Sequence, residues 1–362
     1  MPDLFVLRSL SNPMNPQPTF RRKRSARALS RLAAFTLVEL MAAIGVLAIL
    51  LTILAGLTSS VSRTVRQATS EVTALATARA ANDLSQKISL ATLNTYYGYD
   101  NYKTPSAAAP TRYIRLSDLQ FLIQPNVRNP GCGQEIYFVS PLSFSTQQPL
   151  SGLQNLMNAC GYFVQYNNND TFRPTPTDQA RWRYRLMQGL ERTENLQLFK
   201  NPPSRWVGTT PGGGLEWLQT ICNDPAAVRT NVSPIADNVI ALIMIPQDPT
   251  GTTLTTNYTY DSAPGTTIAN PQAVTENQLP PMIELTVITI SEASAVKLDT
   301  NSATEPAAIK DALNGRFVNT AAYTTDIEAV SEALAAKGVA FRIFKTVVPM
   351  RESKWSGEGA GF

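Results

Sequence analysis

Few residues in this chain have types and spacings that carry chemistry, and each such pattern points to a definite reaction or ligand. Ser294 and Lys297, in "SAVK", stand in the S-x-x-K spacing of a serine nucleophile activated by an amine. Its S-D-N and K-T-G companions are missing, so the pair reads as a chance match at the end of a strand. "NNND", residues 167–170, offers oxygen ligands without the spacing of a calcium loop and reads as a set of Asx turns. "GGG", residues 212–214, lacks the G-K-[ST] of a phosphate loop and reads as a flexible turn. The chain contains no His, which removes Ser-His-Asp and Cys-His catalysis and His-ligated zinc. No catalytic residue, metal site or cofactor is therefore expected, and the chain reads as a non-enzyme.

Two further patterns bear on partners and redox state. In "RWRYRL", Arg181, Arg183 and Arg185 share one face of a strand, with Trp182, Tyr184 and Leu186 on the other. Cations interleaved with aromatics can bind single-stranded nucleic acid, but a half-buried strand with a solvated cationic face explains the pattern fully. Charge favours the second reading. Seven cations and one acid precede Phe35, so of the net +4 this leader carries +6 and the remainder −2; no nucleic-acid partner is expected. The three cysteines, Cys132, Cys160 and Cys222, allow at most one internal bridge in an oxidising compartment. Cys132 and Cys160 are nearest in sequence, each beside a Gly, and form the candidate disulfide; three buried thiols are the alternative.

The residue most out of place is Glu39, inside "RLAAFTLVELMAAIGVLAILLTILAGL", residues 31–57. A carboxylate within hydrocarbon costs about 3 kcal/mol or more unless paired. Residues 35–57 make roughly 34 Å of helix, enough to cross a bilayer. Six cations lie in residues 21–31 and no acid in residues 4–38, an asymmetry that holds the N-terminus in the cytoplasm and sends the chain beyond residue 57 across the membrane. A secretory signal peptide has a shorter apolar core and a small-residue cut after it.

A basic leader followed by "AFTLVELMAAIGVLAIL" resembles the N-terminus of type IV prepilins and of the pseudopilins of type II secretion. The resemblance implies that a prepilin peptidase cuts between Ala34 and Phe35 on the cytoplasmic side and that Phe35 is N-methylated. Residues 1–34 are then a removed leader, and Glu39 is an assembly residue. The family usually has Gly before the cut where this chain has Ala34. Independently of the family, a chain starting at Phe35 has an ammonium four residues before Glu39, one helical turn away. That amine, or the one on a neighbouring subunit, can neutralise the carboxylate. A polar residue tolerated near the membrane boundary is the plainer alternative.

These residues need elements to position them. No Gly or Pro occurs in residues 58–97, and Val61, Val65, Ala68, Val72, Leu75, Ala78, Ala81, Leu84, Ile88 and Ala91 recur at steps of three and four. The apolar helix is therefore expected to continue over 58–97, its far half packing on the globular domain. Residues 98–362 are proline-rich and read as short strands, among them "RYIRLSDLQFLI", "EIYFVSPL", "GYFVQY", "RWRYRLMQGL", "LQLFK", "NVIALIMIP", "MIELTVITI" and "VAFRIFKTVV". Two helices, in "TEPAAIKDALNG" and "TTDIEAVSEALAAKG", each close with Gly. The expected fold class is α+β, a long N-terminal transmembrane and amphipathic helix packed on an antiparallel β-sheet domain, as in type IV pilins.

"NVIALIMIPQD", "LPPMIELTVITISEASA" and "RWRYRLMQ" resemble the body of the Verru_Chthon cassette protein C family, and the size and strand-rich body are similar to the J-type minor pseudopilin of type II secretion. Together the resemblances imply a minor pseudopilin, a structural subunit of a type II secretion or type IV pilus-like filament. Its implied partners are a prepilin peptidase/methyltransferase, other pseudopilins and the inner membrane, which the chain spans once with its globular domain periplasmic or at the cell surface. The alternative is a single-pass protein that displays a periplasmic binding module and joins no filament.

Overall fold

The structure, a computed structural model, describes residues 36–101, 109–150, 152–170, 172, 180–196, 231–263 and 269–357. "LQLFK", "GGG" and Cys222 lie wholly or mostly outside the described residues. The fold is α+β, with an apolar N-terminal helix and antiparallel sheets. The chain divides into two compact units, one up to Val61 and one from Ser62 on.

The first unit is the beginning of helix α1, Leu37–Ser89. Its stretch Leu37–Val65 is long and apolar enough to cross a membrane. Ala, Leu and Met are strong helix formers, and the apolar residues point in all directions rather than along one stripe. A helix apolar all round is buried in protein or in lipid; here Leu40, Ile44, Leu47, Leu51 and Leu54 are each more than half exposed. The hydroxyls are satisfied within the helix: Thr52 Oγ1 donates to the Ala48 carbonyl at 2.8 Å and Thr58 Oγ1 to that of Leu54 at 2.8 Å.

In the second unit, α1 enters the core only over its last turns. Thr77, Ala80, Ala81, Leu84 and Ile88 are buried, whereas Val65, Val72 and Leu75, expected on the same packed face, are exposed. The helix also ends earlier than residue 97. Beyond Ser89 the Thr92 amide donates to the Val139 carbonyl and the Ser140 hydroxyl to that of Leu90, so pairing with the sheet captures the chain. Tyr96 and Tyr97 then open strand β1, Tyr96–Tyr99, as aromatic residues favour.

β1 pairs with β2, Tyr113–Leu116. A six-stranded antiparallel sheet is built in the order β7-β6-β5-β4-β3-β9. Its strands are β3 (Leu122–Pro125), β4 (Gln134–Ser140), β5 (Asn158–Asn168), β6 (Trp182–Glu191), β7 (Val232–Asp237) and β9 (Tyr260–Asp261). Sequential neighbours pair from β3 to β7, a meander that short connections favour. The remaining strands, β8 (Val239–Gln247), β10 (Met282–Ile290) and β11 (Phe341–Pro349), form a three-stranded sheet in the order β11-β10-β8. β8 reads as an unbroken apolar run and is buried on both faces. Between β10 and β11 lie α2 (Glu292–Leu298), α3 (Ala307–Leu313) and α4 (Tyr323–Ala336). α4 stops at Gly338, φ +66°, where the Gly338 and Val339 amides take up the Ala335 and Leu334 carbonyls.

A backbone seam joins the two larger sheets. Gly133, at the entry to β4, bridges Leu242 of β8, whose amide donates to the Cys132 carbonyl at 3.1 Å. Gly133 has φ +82°, and a Cβ there would stand 2.1 Å from the Leu242 carbonyl oxygen. Backbone cannot yield as a flexible side chain does, so Gly133→Ala must part the seam or twist the turn. Urea denaturation is expected to show a loss of about 3 kcal/mol or more, against a change below about 1 kcal/mol for Gly152→Ala, where a Cβ meets nothing within 4 Å.

Candidate functional site

The sharpest site in the described residues is the start of α1. Thr36 precedes the first helical residue, Leu37, and its carbonyl accepts from the Leu40 amide at 3.2 Å, the first bond of the helix. The Thr36 amide and hydroxyl each donate to Glu39 Oε2 at 2.9 Å, while the Glu39 amide donates to Thr36 Oγ1 at 3.3 Å. This reciprocal pair is a capping box: a hydroxyl at the N-cap and a carboxylate three residues on satisfy each other's backbone amides. The box fixes where the helix begins and places the negative charge at the positive end of the helix dipole.

Glu39 thus has a partner within its own chain that the sequence reading missed. The signal was present, since "TLVE" is an S/T-x-x-E box directly ahead of an apolar run. The box uses one carboxylate oxygen only. Glu39 Oε1 has no hydrogen bond among the described residues, so the carboxylate can accept a further donor while it caps the helix. Glu39 is also the one charged side chain in residues 36–62. Ala34 and Phe35, the residues expected to flank a cut, lie outside the described residues.

The other candidates are accounted for by packing. Cys132 and Cys160 are both buried free thiols, so the expected bridge is not formed. The two stand in different surroundings, Cys160 in β5 near Lys87 of α1 and Cys132 in the turn before β4 near Glu305. Burial raises both thiols above the ordinary value, Cys160 to about 12. Of the arginines expected to be solvated, Arg181 is exposed just before β6, whereas Arg183 and Arg185 are not. Arg183 is 6% exposed and pairs with Asp299 at 2.6 Å and Glu292 at 3.6 Å; Arg185 is 3% exposed and bonds Asp237 at 2.8 Å. Both faces of β6 are covered, so the buried guanidinium groups pair with acids of neighbouring segments.

Ser294 lies in α2 rather than at a strand end, and its hydroxyl accepts from the Ala340 amide at 2.9 Å and from Ser291 Oγ at 3.0 Å. No hydrogen bond joins Ser294 to Lys297 among the described residues. Asn168 and Asp170 bond one another in the local turn expected of "NNND". Among the described residues no group of three or more acids or cysteines stands close enough to hold a metal. Comparison of the chain with family models, with curated proteins and with solved structures gives no match.

The thiols give a prediction whose sign is fixed. An unfolded Cys loses its proton near pH 8.5, whereas native Cys160 keeps its own until about 12. Above pH 8.5 the unfolded chain therefore binds fewer protons than the native one, and stability falls as pH rises toward 12. Cys160→Ala is expected to flatten that slope in denaturation curves collected from pH 8 upward. Native protein should leave Cys132 and Cys160 unlabelled by iodoacetamide, and denatured protein should label both.

Proposed function

We propose that this chain is a non-enzymatic minor pseudopilin, a structural subunit of a type II secretion or type IV pilus-like filament. A prepilin peptidase removes residues 1–34 and methylates Phe35. The apolar part of α1 spans the inner membrane once, with the N-terminus cytoplasmic and the domain periplasmic or at the cell surface. The antiparallel sheets and the buried last turns of α1 then serve as a pilin-like head. Other pseudopilins are its partners, stacking by their apolar helices in a heterologous, open-ended arrangement.

One observation carries this reading. Glu39 is the single charge in residues 36–62, it stands at the first turn of the apolar helix, and its Oε1 remains open while Oε2 caps the helix. A carboxylate serving only as a cap gains nothing from lying in hydrocarbon, since a hydroxyl cap alone satisfies an amide. A carboxylate that also receives the ammonium of a neighbouring Phe35 converts a membrane cost into a docking contact. The alternative, a lone anchor that displays a binding module, has no such use for the open oxygen.

The capping box supplies a test that separates the two roles. Gln keeps the box, because its side-chain oxygen still accepts from the Thr36 amide, but it carries no charge; Leu removes both. Glu39→Gln and Glu39→Leu are both expected to be processed and inserted in the membrane as well as wild type. Both should lose crosslinking of the processed chain to other prepilin-type subunits at least tenfold, consistent with roughly 3 kcal/mol for stranding one partner of a buried ion pair. Wild-type crosslinking by Glu39→Gln with loss in Glu39→Leu would reduce Glu39 to a helix cap. Wild-type crosslinking by both would leave the lone anchor as the reading.

A further inference from the structure

Three segments of the unit from Ser62 on close around a pocket of about 280 Å³. The turn from β3 to β4 supplies Gly131, Gly133 and Gln134, the stretch before β9 supplies Asn257 and Thr259, and the loop from α3 to α4 supplies residues 316–318. Hydrogen bonds and ring packing tie the last two segments together. The Thr320 amide and hydroxyl donate to the Thr256 and Thr255 carbonyls, each at 2.9 Å, and Tyr258 meets the Phe317 ring edge-on with centroids 6.5 Å apart. Phe317 holds φ +57°, a backbone region that a bulky residue enters only when its surroundings demand it. Its amide donates to Asp326 Oδ2 at 2.8 Å.

The amide side chains of this wall have their oxygens in use. Gln134 Oε1 accepts from the Met244 amide at 2.9 Å, and Asn257 Oδ1 accepts from the Thr259 hydroxyl at 2.7 Å and amide at 3.4 Å. Asn126 Oδ1 accepts from the Arg128 and Asn129 amides at 3.0 and 3.1 Å, and its Nδ2 donates to the Val164 carbonyl at 2.7 Å. A backbone N–H needs an acceptor, so these bonds fix which end of Gln134 and of Asn257 is oxygen. The other ends are NH2 groups, and neither Gln134 Nε2 nor Asn257 Nδ2 has an acceptor among the described residues. Gln134 is 2% exposed, and so deep a donor is ordinarily paired. Arg316 adds a guanidinium, its side chain 41% exposed; Asp326 stands 3.6 Å from it, beyond hydrogen-bond reach, and the guanidinium forms no hydrogen bond among the described residues. The Gly131 and Gly133 amides likewise donate to no described residue.

A wall that offers N–H groups, its amide oxygens already bonded, selects a ligand that only accepts. A carboxylate is such a group, and a guanidinium can take it with two parallel N–H donors. Phosphate accepts as well, but the rest of the wall is apolar: Pro125, Pro130, Phe317 and Val318 line the same pocket, and Val318 is 67% exposed. Covering that surface favours an anion with an apolar group beside it, which inorganic phosphate lacks.

We propose that this pocket binds a carboxylate carrying an apolar side chain, as the C-terminal residue of a polypeptide or a free N-acyl amino acid presents it. Arg316, Gln134 and Asn257 donate to the carboxylate and the acyl oxygen, and the apolar side chain lies on Phe317, Val318 and Pro125. The site does not depend on membrane anchoring or on the filament reading. The test titrates the full chain in detergent with N-acetyl-leucine by calorimetry. Saturable binding is expected, at least tenfold weaker for N-acetyl-leucinamide, which has no charge, and for inorganic phosphate, which has no apolar group. Arg316→Gln and Asn257→Asp, both at exposed positions, should each weaken binding at least tenfold; Asn257→Asp keeps the oxygen that Thr259 bonds and removes the donor. Arg351→Gln, at an exposed position outside the pocket wall, should leave binding unchanged. An acetylated tetrapeptide ending in leucine separates the two sources: binding at least tenfold tighter than N-acetyl-leucine assigns the pocket to a chain terminus and equal binding assigns it to a small acid, and both results uphold a carboxylate site. The proposal is overturned by no saturable binding, by equal binding of the amide or of phosphate, or by equal losses in Arg316→Gln and Arg351→Gln.

Discussion

An apolar helix cannot leave all its sides in water. From Leu37 to Leu57 every large hydrophobic side chain of α1 is more than half exposed, and no stripe of polar residues offers a wet face. Helical backbone satisfies its own hydrogen bonds, which is what hydrocarbon requires. The hydroxyls of Thr52 and Thr58 bond back to carbonyls one turn earlier, so they add no unsatisfied group. What remains is one carboxylate at the first turn. The capping box with Thr36 lowers its cost without removing its charge, and in the proposed function this residual charge makes the directional contact that lipid cannot. Anchoring and assembly in the proposed function thus come from the same few residues.

The unit from Ser62 on answers a different demand, that of burying two sheets and the end of a helix with their polar groups satisfied. Leu84 and Ile88 of α1 enter the same hydrophobic cluster as β8 and β10. Gly133 lets two backbones meet where any Cβ would collide. Arg115, fully buried, donates to the Glu276 and Ala273 carbonyls and holds the segment before β10 against β2. Polar side chains are thus used inside the fold to fix connections, as with Arg183 and Arg185 on β6.

Much of this was legible in the sequence because it rests on local periodicity. β4, β5, β6, β8, β10 and β11 fall within or beside the apolar runs that announce them, and α3 and α4 end at the glycines that close helices. The capping box was written plainly as "TLVE". Tertiary contacts were not legible. The helical spacing of apolar residues runs on past Ser89, but Val139 and Ser140 capture the chain there. It also begins at Val61, though packing begins near Thr77. Alternation in "RWRYRL" suggested a solvated cationic face, because sequence cannot say that acids from α2 and β7 will cover it. Two cysteines beside glycines suggested a bridge, and the strands place them in separate surroundings. β7, β9 and α2 are short and weakly patterned, so long-range pairing decides them.

In the proposed function the basic leader is a processed segment, and the helix start becomes a new N-terminus one turn from Glu39. Intact-mass analysis of the protein extracted from its native membrane tests this most directly. Loss of residues 1–34 and one added methyl group, on a chain beginning at Phe35, is the expected result. A mature chain that begins at Met1, or one cut after the apolar run so that α1 no longer carries Glu39, would contradict it.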